Sequence, residues 1–270
     1  MKKIKGYLYI LPSFIGFMIL YVLPLIWGIK YSFSRSGFDN TFVAFNNYAE
    51  VINNEAFRLA FLNTSIFMVI AIPLIIILSF ILALIIFETK PPKILMLFII
   101  IPMAIPSASV AGFFRKVFGT GYNNLLDSEY AMIAVILIFI WKNTGYNLII
   151  YIVSLTQMDK SLIESAEING ASYIQKLKYI IIPLLTPSTV FVGIITIINS
   201  FKVFRDVYIL QGSYPNPNIY MLQHFMNNKF RDLQYEKLTS AAYIFAIVIF
   251  IFTYIIFIID KKHYKRIGEN

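Results

Sequence analysis

Six long apolar runs dominate this chain, at roughly 7–32, 59–87, 94–114, 131–155, 188–210 and 239–259. An α-helix needs ~20 apolar residues to cross a bilayer, and every run reaches that length. Lipid offers no partner to a bare N–H or C=O, so such segments must be helices that close their own hydrogen bonds. The runs predict an all-α, polytopic membrane protein of six transmembrane helices, one domain over residues 1–270. Composition agrees: 59% of residues are hydrophobic and only 14% charged, against ~45–50% and ~25% in soluble domains. That excludes a disordered chain, a collagen and a water-soluble enzyme. The first run follows Lys2, Lys3 and Lys5. It is too long for a signal-peptide core and lacks a small-x-small cleavage site, so it counts as a span.

The net charge of +9 would suggest a nucleic-acid partner in a soluble protein. Here the basic residues lie mostly between the apolar runs, where they set orientation and meet anionic lipid heads. No basic stripe with interleaved aromatics is present, so no nucleic acid is expected. With the N-terminus inside, Lys90, Lys93, Lys160, Lys176, Lys178 and the Lys261–Arg266 cluster all fall on the cytoplasmic side. That places both termini in the cytoplasm. The absence of cysteine excludes disulfides and thiolate metal sites. His224 and His263 lack metal-ligand partners at helical spacing, so no metal is expected. No catalytic constellation is found: no carboxylate pair, nucleophile–base pair or H-E-x-x-H. Nor is there a G-x-x-x-x-G-K-[ST] phosphate loop, so the chain cannot hydrolyse ATP itself.

Residues 156–187 are longer than a connection between neighbouring spans requires. Ser161 and Glu164 fit a capping box that starts a helix, and Gly170 supplies a stop or sharp turn. A second amphipathic helix follows, with Tyr173, Ile174, Leu177, Ile180 and Ile181 on one stripe. Pro183 and Pro187 then punctuate the start of the next span. The result is a helix–Gly–helix elbow over 160–187. It either meets a soluble partner or lies on the lipid as an interfacial helix.

The stretch from Glu164 to Pro187 resembles the "EAA" motif of binding-protein-dependent ABC importer permeases, E-A-A-x-x-D-G-A followed by F-x-x-I-x-L-P-x-x-x-P. Glu164, Ala166, Gly170, Ala171, Ile180, Pro183 and Pro187 match in register. Ser165, Asn169, Leu177 and Ile182 replace Ala, Asp, Phe and Leu. Phe42–Tyr48, Leu97–Pro106 with Phe113–Arg115, and Ser200–Tyr208 resemble further segments of the carbohydrate branch, in its larger-subunit-like half. The resemblance implies a bacterial cell-membrane permease that pairs with a second homologous six-span permease. It implies a cytoplasmic ATPase dimer docked through Glu164, Ser165, Ala166, Asn169, Gly170 and Ala171, with ATP and Mg on that partner and no cofactor on this chain. It also implies a carbohydrate delivered by an external solute-binding protein.

Polar groups in mid-span default to functional roles. Span four holds the densest set, Trp141–Asn147. Asn143 and Asn147 stand at i, i+4 and share a face, and with Tyr146 they are candidates to line a substrate path. Their structural alternative is interhelical bonding. Lys142 is expected to pair with an acidic group on a second subunit or to snorkel into a water-filled cavity. In span five Asn199 is a candidate ligand contact, and Lys202 and Asp206 are expected to form an i, i+4 ion pair. Tyr243 is the candidate in span six. A stand-alone ion-coupled transporter or channel is the rival reading; Asp206 is the span carboxylate it would use.

Overall fold

The computed structural model describes residues 2–118 and 124–268, with side chains described over 9–118, 124–251, 253, 254 and 258. In chain order the helices are α1 (Lys2–Phe17), α2 (Leu23–Ser32), α3 (Asn46–Asn53), α4 (Glu55–Thr89), α5 (Lys93–Ala104) and α6 (Ser107–Phe118). They continue as α7 (Ala131–Thr156), α8 (Lys160–Ile168), α9 (Tyr173–Lys176), α10 (Ile182–Gln211), α11 (Leu222–Arg231) and α12 (Tyr235–Gly268). Among the described residues there is no strand, only an isolated bridge between Ser34 and Phe42. The all-helical expectation is met.

Among the described residues, four continuous helices are long and apolar enough to cross a membrane: Tyr9–Ser32, Glu55–Thr89, Ala131–Thr156 and Tyr173–Gln211. The expected third span is not one helix. Helices α5 and α6 meet at 102° around Ile105 and Pro106. Pro106 has no N–H, and its ring opposes a helical residue before it. Ile105 accordingly takes an extended conformation, φ −76° and ψ 129°. The expected sixth span falls within α12, whose side chains at 252, 255–257 and from 259 onward lie outside the described residues. So do the side chains of Lys2, Lys3, Lys5, His263 and the Lys261–Arg266 cluster.

Two prolines that should interrupt spans are absorbed by the same device. A π-turn over Met18–Val22 joins α1 to α2, with the Leu23 N–H donating to the Met18 carbonyl just before Pro24. A second over Leu177–Ile181 joins α9 to α10, with the Ile182 N–H donating to the Leu177 carbonyl just before Pro183. The wider turn takes up the irregularity a proline forces on the ladder. Pro183 and Pro187 therefore do not separate the elbow from the next span. The helix runs from Tyr173 to Gln211 without a break.

Backbone contacts divide the chain into two compact units. One comprises residues 1–59 and 225–248. No residue from Tyr9 to Tyr31 is buried in it, as suits a helix whose apolar surface meets lipid or another protein. Its polar knot is Asn47, which is buried and whose Nδ2 donates to the carbonyls of Ser32 (3.0 Å) and Ser34 (2.7 Å). The Gly37 N–H donates to Glu236 Oε2 at 3.1 Å, and Lys237 pairs with Glu50 at 3.0 Å.

The other unit comprises residues 60–224 and 249–270. Helix α7 is its centre and packs on α5 and α10, while α6 packs on α10. One core gathers Ala83, Leu84, Leu148, Tyr151, Leu155, Leu185 and Val192. A second gathers Val110, Phe114, Ala134, Ile138 and Leu210. Gly145 sets the approach of α7 to α5, since a Cβ there would lie 2.8 Å from the Ile100 Cα and against the Ile99 carbonyl. Small residues at such crossings let backbones close in where lipid supplies no hydrophobic drive.

Candidate functional site

The bend between α5 and α6 opens a cavity of about 500 Å³, walled by residues 103–107, α7 and α10. Its polar lining is Ser107 from the start of α6, Lys142, Asn143 and Tyr146 from α7, and Asn199, Lys202, Arg205 and Asp206 from α10. Asn143, Tyr146 and Asn199, three of the expected path residues, are thereby brought to one wall-to-wall space.

The charge arrangement corrects two expectations. Lys202 and Asp206 do not pair. Asp206 is buried and takes Lys142 from α7 instead, with Nζ 2.9 Å from Oδ1 and 3.2 Å from Oδ2. The Lys142 ammonium also donates to Ser107 Oγ at 2.7 Å. Lys142 therefore finds its acid within its own chain rather than on a second subunit. Lys202 turns to Asn199, donating to Oδ1 at 2.9 Å. The physical reason is burial: an isolated carboxylate in the protein interior needs a close, hydrogen-bonded counter-charge. Lys142 delivers that from the facing helix while the exposed Lys202 does not. The pair also fastens the broken segment, because Ser107 is the first residue after the bend.

Asn147 does not line the cavity. It is 1% exposed, and its Nδ2 donates to Thr196 Oγ1 at 3.0 Å, an α7–α10 bond of the interhelical kind. Asn143 sits one turn earlier, spends Nδ2 on the Phe139 carbonyl at 2.9 Å and lines the space. The shared face inferred from i, i+4 spacing is broad enough for one amide to point at a helix and the other at a cavity. Tyr243 belongs to the other unit, where its hydroxyl donates to the Leu25 carbonyl. Ser107 was not anticipated, and Arg205 was not among the candidate path residues. Pro102 and Pro106, four residues apart, are the signal that could have placed a bend beside Ser107.

The stretch 160–187 forms a helix, a glycine turn and a helix. Asp159, not Ser161, caps α8: its Oδ1 accepts the Ser161 N–H at 2.9 Å. The Ser161 hydroxyl and amide hold the Asp159 carboxyl below its ordinary range. The predicted helix start holds, but the capping box lies elsewhere, between Ser172 and Gln175 at the head of α9. At the turn, Gly170 has φ +78°. Its N–H donates to the Glu167 carbonyl and the Ala171 N–H to the Ala166 carbonyl, both at 2.9 Å, which is a Schellman closure. A Lys176–Glu167 ion pair bridges the two arms. Glu164, Ser165, Asn169 and Gly170 are exposed, and Ala166 and Ala171 half-buried. Ile168 and Ile174 are 87% and 72% exposed, apolar surface with no cover in this chain.

The family model for the inner membrane component of binding-protein-dependent transport systems matches residues 75–269. An arabinooligosaccharides transport system permease protein, AraP, of Bacillus subtilis is 30% identical, over 77% of this chain and 72% of the relative. A probable ABC transporter permease protein of the same organism, YurN, is 26% identical over 100% and 99%. A chain of a bacterial alginate ABC transporter, crystallised with a periplasmic protein carrying an alginate pentasaccharide, has the same fold: TM-score 0.78, 21% identity, 98% and 97% covered. The match spans the elbow and the walls of the cavity, from α5 through α10. This chain therefore belongs to the family of inner membrane components of binding-protein-dependent transport systems.

Proposed function

We propose that this chain is one permease half of an ATP-driven carbohydrate importer, taking an oligosaccharide or related polyol from an external solute-binding protein. In this reading it crosses the cell membrane six times, with α5–α6 as a broken third span, α12 as the sixth, and both termini in the cytoplasm. It pairs with a second six-span permease. A cytoplasmic ATPase dimer docks on Glu164, Ser165, Ala166, Asn169, Gly170, Ala171 and the exposed Ile168. ATP and Mg stay on that partner.

One observation carries the proposal: a single helix, Tyr173–Gln211, joins the elbow to the cavity wall. Asn199 lies 26 residues beyond Tyr173, or ~39 Å at 1.5 Å per residue. A displacement of the elbow therefore reaches Asn199, Lys202 and Asp206 through one body of hydrogen-bonded backbone. Amides and Tyr146 suit a sugar, whose hydroxyls take hydrogen bonds and whose ring faces stack on aromatics. The carbohydrate named for the arabinooligosaccharide relative supports the same substrate class.

The test is co-purification of the tagged chain from its own membranes in mild detergent. A phosphate-loop ATPase and a second six-span protein should come with it, and both ATPase subunits should be lost from E164K/G170V. Solute movement by the chain alone, without ATP, would overturn the proposal in favour of an ion-coupled transporter.

A further inference from the structure

A second recess, of about 430 Å³, lies beside the elbow, far along α7 from the cavity described above. Its floor is apolar, from Ile86, Phe87, Met96 and Ile152, and its rim carries Lys90, Lys93 and Lys160. The three lysines come from three different segments: the residue after α4, the first residue of α5 and the first residue of α8. Lys90 stands in the left-handed region, φ 46°, at the tight 90–92 turn. None of the three makes an ion pair among the described residues. The neighbouring carboxylates do not line the recess: Glu88 interacts with the Tyr173 side chain, and Asp159 caps α8. No side chain caps the N-terminus of α5, so its first amides add positive potential to the same rim.

Three unneutralised ammonium groups above an apolar floor, at the ends of membrane-spanning helices, match one chemistry. We propose that this recess binds an anionic phospholipid, its phosphate held by Lys90, Lys93 and Lys160 and its acyl chains against Ile86, Phe87, Met96 and Ile152. Basic pockets between helices at a membrane surface attract such headgroups. Free phosphate satisfies the rim but not the floor, which is why the lipid is the favoured source. Because Lys160 begins the first elbow helix, the bound lipid ties the bilayer to the element that faces the soluble partner.

The experiment is native mass spectrometry of the intact transporter complex, titrated with phosphatidylglycerol, with phosphatidylcholine and with inorganic phosphate. Phosphatidylglycerol should bind in preference to phosphatidylcholine. The variant K90Q/K93Q/K160Q should weaken it at least ~10-fold, while K90R/K93R/K160R should retain it. If the triple Gln variant does not assemble, the singles K90Q and K93Q are read instead, each expected to weaken binding several-fold. Equal binding of phosphatidylcholine, unchanged binding to the Gln variants, or displacement of the lipid by inorganic phosphate would each overturn the proposal.

Discussion

The Lys142–Asp206 pair illustrates how asymmetric a buried charge is. Two charges taken out of water recover their desolvation only through each other, so the pair adds little net stability. Removing one partner strands the other, at about 3–5 kcal/mol. D206N and K142M should therefore each lower the melting temperature of the purified complex sharply, and K142M/D206N should recover much of the loss. Independent, additive effects in that cycle would deny the coupling. His224 offers a second residue-scale test. It is fully buried, its Nδ1 accepts the Met221 N–H at 3.1 Å, and burial pushes the imidazole down to about 4. A folded value below the unfolded one favours folding above pH 6.5, and that contribution is lost as pH falls from 6.5 toward 4. Melting temperature should drop across this window, and H224Q should flatten the drop. The Lys142–Asp206 pairing was not legible in the sequence. Spacing along one helix nominated Lys202 for Asp206, because i, i+4 neighbours are visible in a string of letters and facing helices are not.

At the scale of elements, glycines decide two junctions for different reasons. Gly170 adopts φ +78° with open space where a Cβ would go. G170A thus costs only the backbone strain of a left-handed residue, about 1–2 kcal/mol, and should loosen the elbow without unfolding the chain. Protease nicking near 170 in the free chain is the measurement, with faster cleavage expected. Gly145 is the reverse case, with ordinary helical torsions and no room. G145L should drive α5 from α7 and abolish purification of a monodisperse complex by size-exclusion chromatography. The sequence disclosed Gly170, since it closes an amphipathic pattern and sits in a fixed motif. It was silent on Gly145, because a tight crossing is a property of two helices at once. Helix existence was readable from hydropathy in the apolar runs but not in the polar stretches between them, where α3 and α11 form. Continuity was not: Pro106 breaks a span, whereas Pro24 and Pro183 are carried through by π-turns of the same form.

For the whole molecule, the motif from Glu164 to Pro187 carries the family resemblance, and the polar residues of α7 and α10 include those that line the cavity. What hydropathy could not convey is that the cavity exists because one span fails to be straight. A helix cut in mid-course leaves carbonyls at one end and amides at the other without partners in their own ladder, and residues 103–107 stand in the cavity wall. The wall therefore includes a stretch of broken helix, whose main-chain groups are the same whatever side chains evolve around it. Alanine substitutions at Met103 or Ile105 should leave transport nearly unchanged, while P106A, by allowing the helix to straighten, should reduce it strongly in vesicle uptake. In the proposed importer, such main-chain groups would take hydrogen bonds from hydroxyl-rich solutes whatever their stereochemistry. Discrimination among sugars would then fall to whatever delivers them, with the membrane passage as a permissive conduit.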